Sequence, residues 1–145
     1  MDKEELFKEI DLIQNCINRM SQNSFLIKGW ALTIFAGVTA FTKGENFSNP
    51  VILICTTIIP FVCFWILDTF FLRTEKKYRK MYEDMLTKRK ENNTEGQFEL
   101  NPHNIKVDCY LKVMTSTTLV LFYGIPLLTS IILLIYELKS CEVCI

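Results

Sequence analysis

From Val113 to Tyr136 the chain runs for 24 residues without a charged side chain, and no other feature constrains its fold as strongly. At about 1.5 Å per residue, a helix of that length covers the roughly 30 Å hydrocarbon core of a bilayer. The 21 uncharged residues from Phe47 to Leu67 can do the same. A third stretch, Gly29 to Phe41, has 13 residues. Adding Phe25-Leu26-Ile27-Lys28 brings it to 17, with one lysine whose ammonium can snorkel toward the headgroups. The sequence therefore predicts three transmembrane helices, over 25–41, 50–72 and 113–136.

A buried helix of a soluble domain is the alternative for a stretch as short as the first. The two longer stretches argue against it. A surface helix of a soluble domain carries a polar face at a 3.6-residue period, and here only threonines, serines and small residues stand where charges would be. The acidic start Met1-Asp2-Lys3-Glu4-Glu5 is unlike a cleaved signal peptide, so the first span is expected to be retained.

Half of the 145 residues are hydrophobic and the formal net charge is zero, so the charges must be segregated between the spans. Lys3, Lys8, Arg19 and Lys28 precede or open the first span, and Lys43 alone separates the first from the second. Ten cations, from Arg73 to Lys112, separate the second from the third, and Lys139 alone follows. The positive-inside rule puts the N-terminus and the central loop in the cytoplasm, and the short loop and the tail 137–145 outside.

Cysteine usage adds little to this. Cys16 and Cys109 would be cytoplasmic and reduced, Cys55 and Cys63 would lie in the second span, and Cys141 and Cys144 would face an oxidising exterior. The tail pair has redox or zinc spacing but no second pair of ligands, so no metal is expected. His103 stands alone in a loop, and no nucleophile, base and orienting group occur at recognisable spacing. Neither an enzyme nor a cofactor is expected.

The cytoplasmic segments carry helical seams. Leu6, Ile10, Ile13, Ile17 and Met20 recur at 4-3-4-3 spacing, one apolar face of an amphipathic helix over residues 1–24. Acidic residues oppose it, so a helix suits that face better than anionic lipid. Leu67, Phe71, Thr74, Tyr78, Met81 and Met85 repeat the spacing beyond the second span, predicting one helix from about Val51 to Lys90 that stands in the cytoplasm as a stalk. Pro60 is expected to kink it. The cytoplasmic stalk and loop span 73–112, and Asn101-Pro102 reads as the start of the third helix.

The candidate functional residues sit at the cytoplasmic boundary. Arg19, Gln22, Asn23 and Lys28 either anchor the first span at the interface or line the mouth of a pore formed by several copies, where rings of charged and amide groups set which ions pass. Gly29, Ala31, Ala36, Gly37 and Ala40 would let first-span helices approach closely. Asp68, at the cytoplasmic end of the second span, is a second pore-lining candidate; it is costly in hydrocarbon and is expected to face Lys28, Arg73 or water. On the stalk, Arg73, Lys76, Lys77, Arg79 and Lys80 alternate with Tyr78 and Tyr82, the cations and aromatics that phosphates and stacked bases require. Glu75, Glu83 and Asp84 interrupt the run, and topology and anionic lipid are the usual explanation of such juxtamembrane cations.

Two segments also carry a resemblance. Ile13, Gln14, Ile17, Arg19, Met20, Asn23, Ser24, Phe25, Lys28 and Trp30, followed by Leu67, Asp68, Leu72, Arg73 and Glu75, resemble the pattern of small bacterial transmembrane effectors of anti-phage defence, the SLATT-like group that includes the channel subunits of Hailong systems. The likeness covers about the first 80 residues; the remainder agrees by topology alone. It implies an all-α membrane protein of the bacterial inner membrane that assembles as an oligomeric bundle, with four subunits as the working expectation. It further implies an ion channel that depolarises the infected cell, controlled by a nucleotide or single-stranded DNA oligomer from a partner nucleotidyltransferase. A non-conducting membrane anchor that recruits a cytoplasmic enzyme, or a holin-like toxin, are the alternatives.

Overall fold

A computed structural model describes residues 3–42 and 54–142. Lys43, the first residues of the expected second span, and Cys144 lie outside the described residues, as do the side chains of Cys55, Lys139 and Cys141. Among the described residues all regular structure is helical. Helix α1 runs unbroken from Lys3–Thr42, 40 residues or about 60 Å, so the amphipathic segment and the first uncharged stretch form one rod. No proline interrupts it, and Glu4 and Glu5 in its first turn complement the helix dipole.

A π-helical turn, Ile54–Ile58, precedes helix α2, Ile59–Lys90. Pro60 follows that turn directly and Ile58 keeps helical angles (φ −72°, ψ −45°), so the helix runs on through the proline and the irregularity expected there is taken up as the π turn just before it. At the other end Lys88, Arg89 and Lys90 meet the negative end of the dipole. Asn92, at φ 57°, reverses the chain. The Asn93 N–H donates to the Lys88 carbonyl (3.0 Å) and the Asn92 N–H to that of Arg89 (3.1 Å), a Schellman closure with asparagine in the left-handed position.

Helices α1 and α2 lie antiparallel. Glu9 meets Arg89, Ser24 and Lys28 meet Asp68, and Phe35 meets Phe61, which places the contact along roughly 40 Å. The seam on α2 differs in phase from the expected one. Phe61, Asp68, Glu75, Tyr82 and Arg89, seven residues apart, are buried or half-buried, as are Phe64, Phe71, Tyr78 and Met85 between them. Leu67 is 44% exposed, so the purely apolar register is corrected by a few tens of degrees toward one that includes three charged side chains. These charges are tolerated because each finds a partner.

After a turn-rich segment containing Gly96 (φ 71°), the chain returns along α2 toward the uncharged region. Here the expected helix start is corrected. Asn101 does cap, accepting from the His103 N–H (3.0 Å), but it opens only the three-residue 3-10 turn Pro102–Asn104. Residues 105–109 then run without helix, held where Lys80 donates to the Lys106 carbonyl (3.1 Å) and Arg73 to that of Asp108 (3.2 Å). A short helix, α3 (Tyr110–Met114), leads through Thr115 and Ser116 into α4, Thr117–Glu142. Trp65 Nε1 donates to the Met114 carbonyl (3.1 Å), satisfying an acceptor that the break leaves free.

The core lies where the three long helices meet. Ala31 of α1, Phe61 of α2, and Leu119 and Tyr123 of α4 are fully or almost fully buried, with Phe35, Trp65 and Phe122 packed around them. Tyr123 stacks on Trp65 at 6.0 Å and meets Phe61 edge-on at 5.5 Å. Around this core the outer faces of α1, α2 and α4 expose Trp30, Ile66, Phe70, Leu121, Ile125 and Leu128. Among the described residues one helix, from Thr56 to Lys90, is long and apolar enough to cross a membrane, and Thr117–Ile132 is a shorter apolar one.

Candidate functional site: a buried ion pair among three helices

The Asp68 carboxylate has no exposed surface and collects three donors from two other helices. Lys28 Nζ lies 2.6 Å from Oδ2, the Tyr123 hydroxyl donates to the same oxygen at 3.1 Å, and the Ser24 hydroxyl donates to Oδ1. Lys28 also donates to Ser24 Oγ at 2.7 Å, which closes a ring of carboxylate, ammonium and hydroxyl. Ser24 and Lys28, four apart, share one face of α1, so a single helix delivers the cation and its relay. Burying two charges costs several kcal/mol per ion unless geometry and further hydrogen bonds compensate, and here every carboxylate oxygen is engaged.

A second buried pair closes the far end of the rod. Arg89 donates through Nε to Glu9 Oε2 (2.9 Å) and through Nη2 to Oε1 (2.7 Å), while Nη1 reaches the Asn93 carbonyl (2.6 Å). The Phe98 N–H adds a bond to Glu9 Oε1 at 3.1 Å. Hydrogen bonds from Arg89 hold the Glu9 carboxyl below its usual range, outweighing burial, with the Phe98 amide assisting. Between these two sites Tyr78 packs against Cys16, and burial pushes its phenol up.

The other expected site residues divide by placement. Arg19 and Gln22 are exposed on α1 and Asn23 is half-buried, so Arg19 and Gln22 are open to contact beyond the protomer. Asp68 is not; it faces Lys28, as its cost in an apolar layer requires. Four of the stalk cations make contacts within the chain, while Arg79 and Lys80 stay exposed. Arg79 pairs with Glu75 (2.7 Å), Lys76 lies 3.6 Å from Asp108, and Arg73 and Lys80 hold the returning backbone. Lys77, Tyr78 and Tyr82 are half-buried.

A surface groove of about 490 Å³ beside them combines Lys76, Arg79, Lys80 and Lys106 with Glu83, Asp84 and Asp108. Four cations against three carboxylates give little net attraction for a phosphate chain. Lys112 and then Lys76 lower the Asp108 carboxyl, so Asp108 stays ionised at neutral pH.

Sequence reasoning missed Ser24, Tyr123, Glu9 and Arg89. Tyr123 carried a signal, since a phenol inside an uncharged stretch needs a hydrogen-bond partner. Glu9 and Arg89 carried none, because each stands among other charges as an exposed residue would. No family model matches the chain, and no characterised protein or solved structure matches it either.

Proposed function

We propose that the chain is the subunit of a homo-oligomeric ion channel in a bacterial inner membrane, an effector of anti-phage defence whose opening depolarises the cell and arrests growth. α1, the Ile54–Lys90 rod and α4 would each cross the bilayer, with the N-terminus and stalk cytoplasmic. One observation carries the reading: a charged, fully hydrogen-bonded cluster sits inside a three-helix contact whose outer surface exposes Trp30, Ile66, Phe70 and Ile125. Exposed aromatics and branched apolar chains at that density are costly in water and ordinary in lipid, and an ionisable residue held within such a layer marks function by default.

Assembly finds support on the free face of α1. Arg19, Gln22, Gly29, Thr33, Ala36 and Ala40 recur on one exposed stripe, and the space above Gly29 is open. Ala31, by contrast, is used within the protomer. The defence role and control by a nucleotide or single-stranded DNA oligomer rest on the resemblance at residues 13–30 and 67–75. The stalk cations lend that ligand little support, because four of them are engaged within the chain.

Potassium flux from proteoliposomes tests the reading. Thr33→Trp should reduce the flux of the wild-type chain several-fold while leaving α1–α2 packing intact. An absence of flux from folded wild-type protein would favour the non-conducting anchor, and release of large solutes the holin-like toxin.

A further inference from the structure

Lys28 and Asp68 are unequally buried. None of the Asp68 side chain is exposed, whereas Lys28 keeps 22% of its side-chain surface open. The cation therefore reaches the cluster from its outer side, and the oxygens lie within. Those oxygens are the Asp68 carboxylate, the Ser24 hydroxyl and the Tyr123 hydroxyl, with the last two oriented by the first. Phe61, Trp65 and Phe122 wall the cluster through Tyr123.

Hard oxygen donors of this kind are what small hard cations require. Charge then fixes the valence: one carboxylate balances one positive charge, and a divalent ion would stay uncompensated among the rings. The ammonium makes two contacts there, an ion pair with Asp68 at 2.6 Å and a hydrogen bond to Ser24 Oγ at 2.7 Å.

We propose that Asp68, Ser24 and Tyr123 form a binding site for a small monovalent cation, and that Lys28 is its tethered occupant. The site exists without conduction.

The test uses the full chain purified in detergent, wild type against Lys28→Met, which keeps the stem, and Lys28→Ala, which opens the space. Thermal unfolding is followed in potassium, methylammonium and choline chloride at equal ionic strength. Both variants should melt below the wild type in choline, which is too large for the site. Potassium or methylammonium should restore at least half of the loss, a rise of roughly 5 °C at tenfold excess over the dissociation constant. Adding Asp68→Asn should abolish the difference between salts.

Equal melting in all three salts overturns the proposal, as does a rescue that survives Asp68→Asn. Failure of both variants to fold even with the small cations present overturns it too, because the oxygens then hold no free ion. Potassium flux from liposomes separates the two readings. Cation-dependent melting without flux removes the channel and keeps the site, whereas wild-type flux with salt-independent melting keeps the channel and removes the site.

Discussion

Replacing Glu9 with alanine should unlatch the cytoplasmic end of the rod. Its carboxylate accepts two bonds from Arg89 and one from the Phe98 amide, and the two side chains are only 3% and 4% exposed. Removing one partner of such a pair leaves a buried charge uncompensated, at about 3–5 kcal/mol. At 1.4 kcal/mol per factor of ten, the lower bound corresponds to opening on the order of 100-fold more often. Amide hydrogen exchange reads this locally: protection at Phe98 and along the first turns of α1 should fall by that factor, while α4 stays protected. The pair Glu9→Ala and Arg89→Ala should show a coupling of about 2 kcal/mol or more.

Acid should mimic the change. The Glu9 carboxyl is depressed in the folded chain, so its contribution is complete above the usual value of 4.5 and is lost as pH falls through the depressed one. Unchanged exchange at Phe98 in Glu9→Ala would refute the view that this pair docks the N-terminal segment.

Four further substitutions probe other parts of the argument. Tyr123→Phe removes a hydrogen bond to a charged acceptor and should lower stability by about 1.5–3 kcal/mol in chemical denaturation. Ala31→Leu should cost about 1–3 kcal/mol because Ala31 has no free surface against Phe61, whereas Ala36→Leu should leave protomer stability unchanged and act on oligomer size in light scattering. Gly96→Ala places a Cβ at φ 71° and should cost about 1–2 kcal/mol, measurable as faster exchange in residues 93–98.

Much of this fold was legible because apolar surroundings impose simple rules. Long uncharged stretches become helices, and a carboxylate at Asp68 has to find a cation nearby, which the 28–68 pair satisfies. The phase of the α1–α2 seam was not legible. Glu75 and Arg89 look like surface residues in a linear reading, and the carboxylate that pairs with Arg89 lies 80 positions away. Asn101-Pro102 misled for a local reason: the same cap opens a 3-10 turn or a long helix, and the tether from Lys80 and Arg73 to the backbone at 106–108 decides between them. Those tethers engage two of the cations, Arg73 and Lys80, that the sequence offered as a phosphate site.

The most direct measurement of the central claim is current across a planar bilayer containing the purified wild-type chain, with and without short single-stranded DNA oligomers. The account predicts discrete, ion-selective openings whose selectivity changes when Arg19 or Gln22 is replaced. A silent bilayer from folded oligomer under both conditions would contradict it.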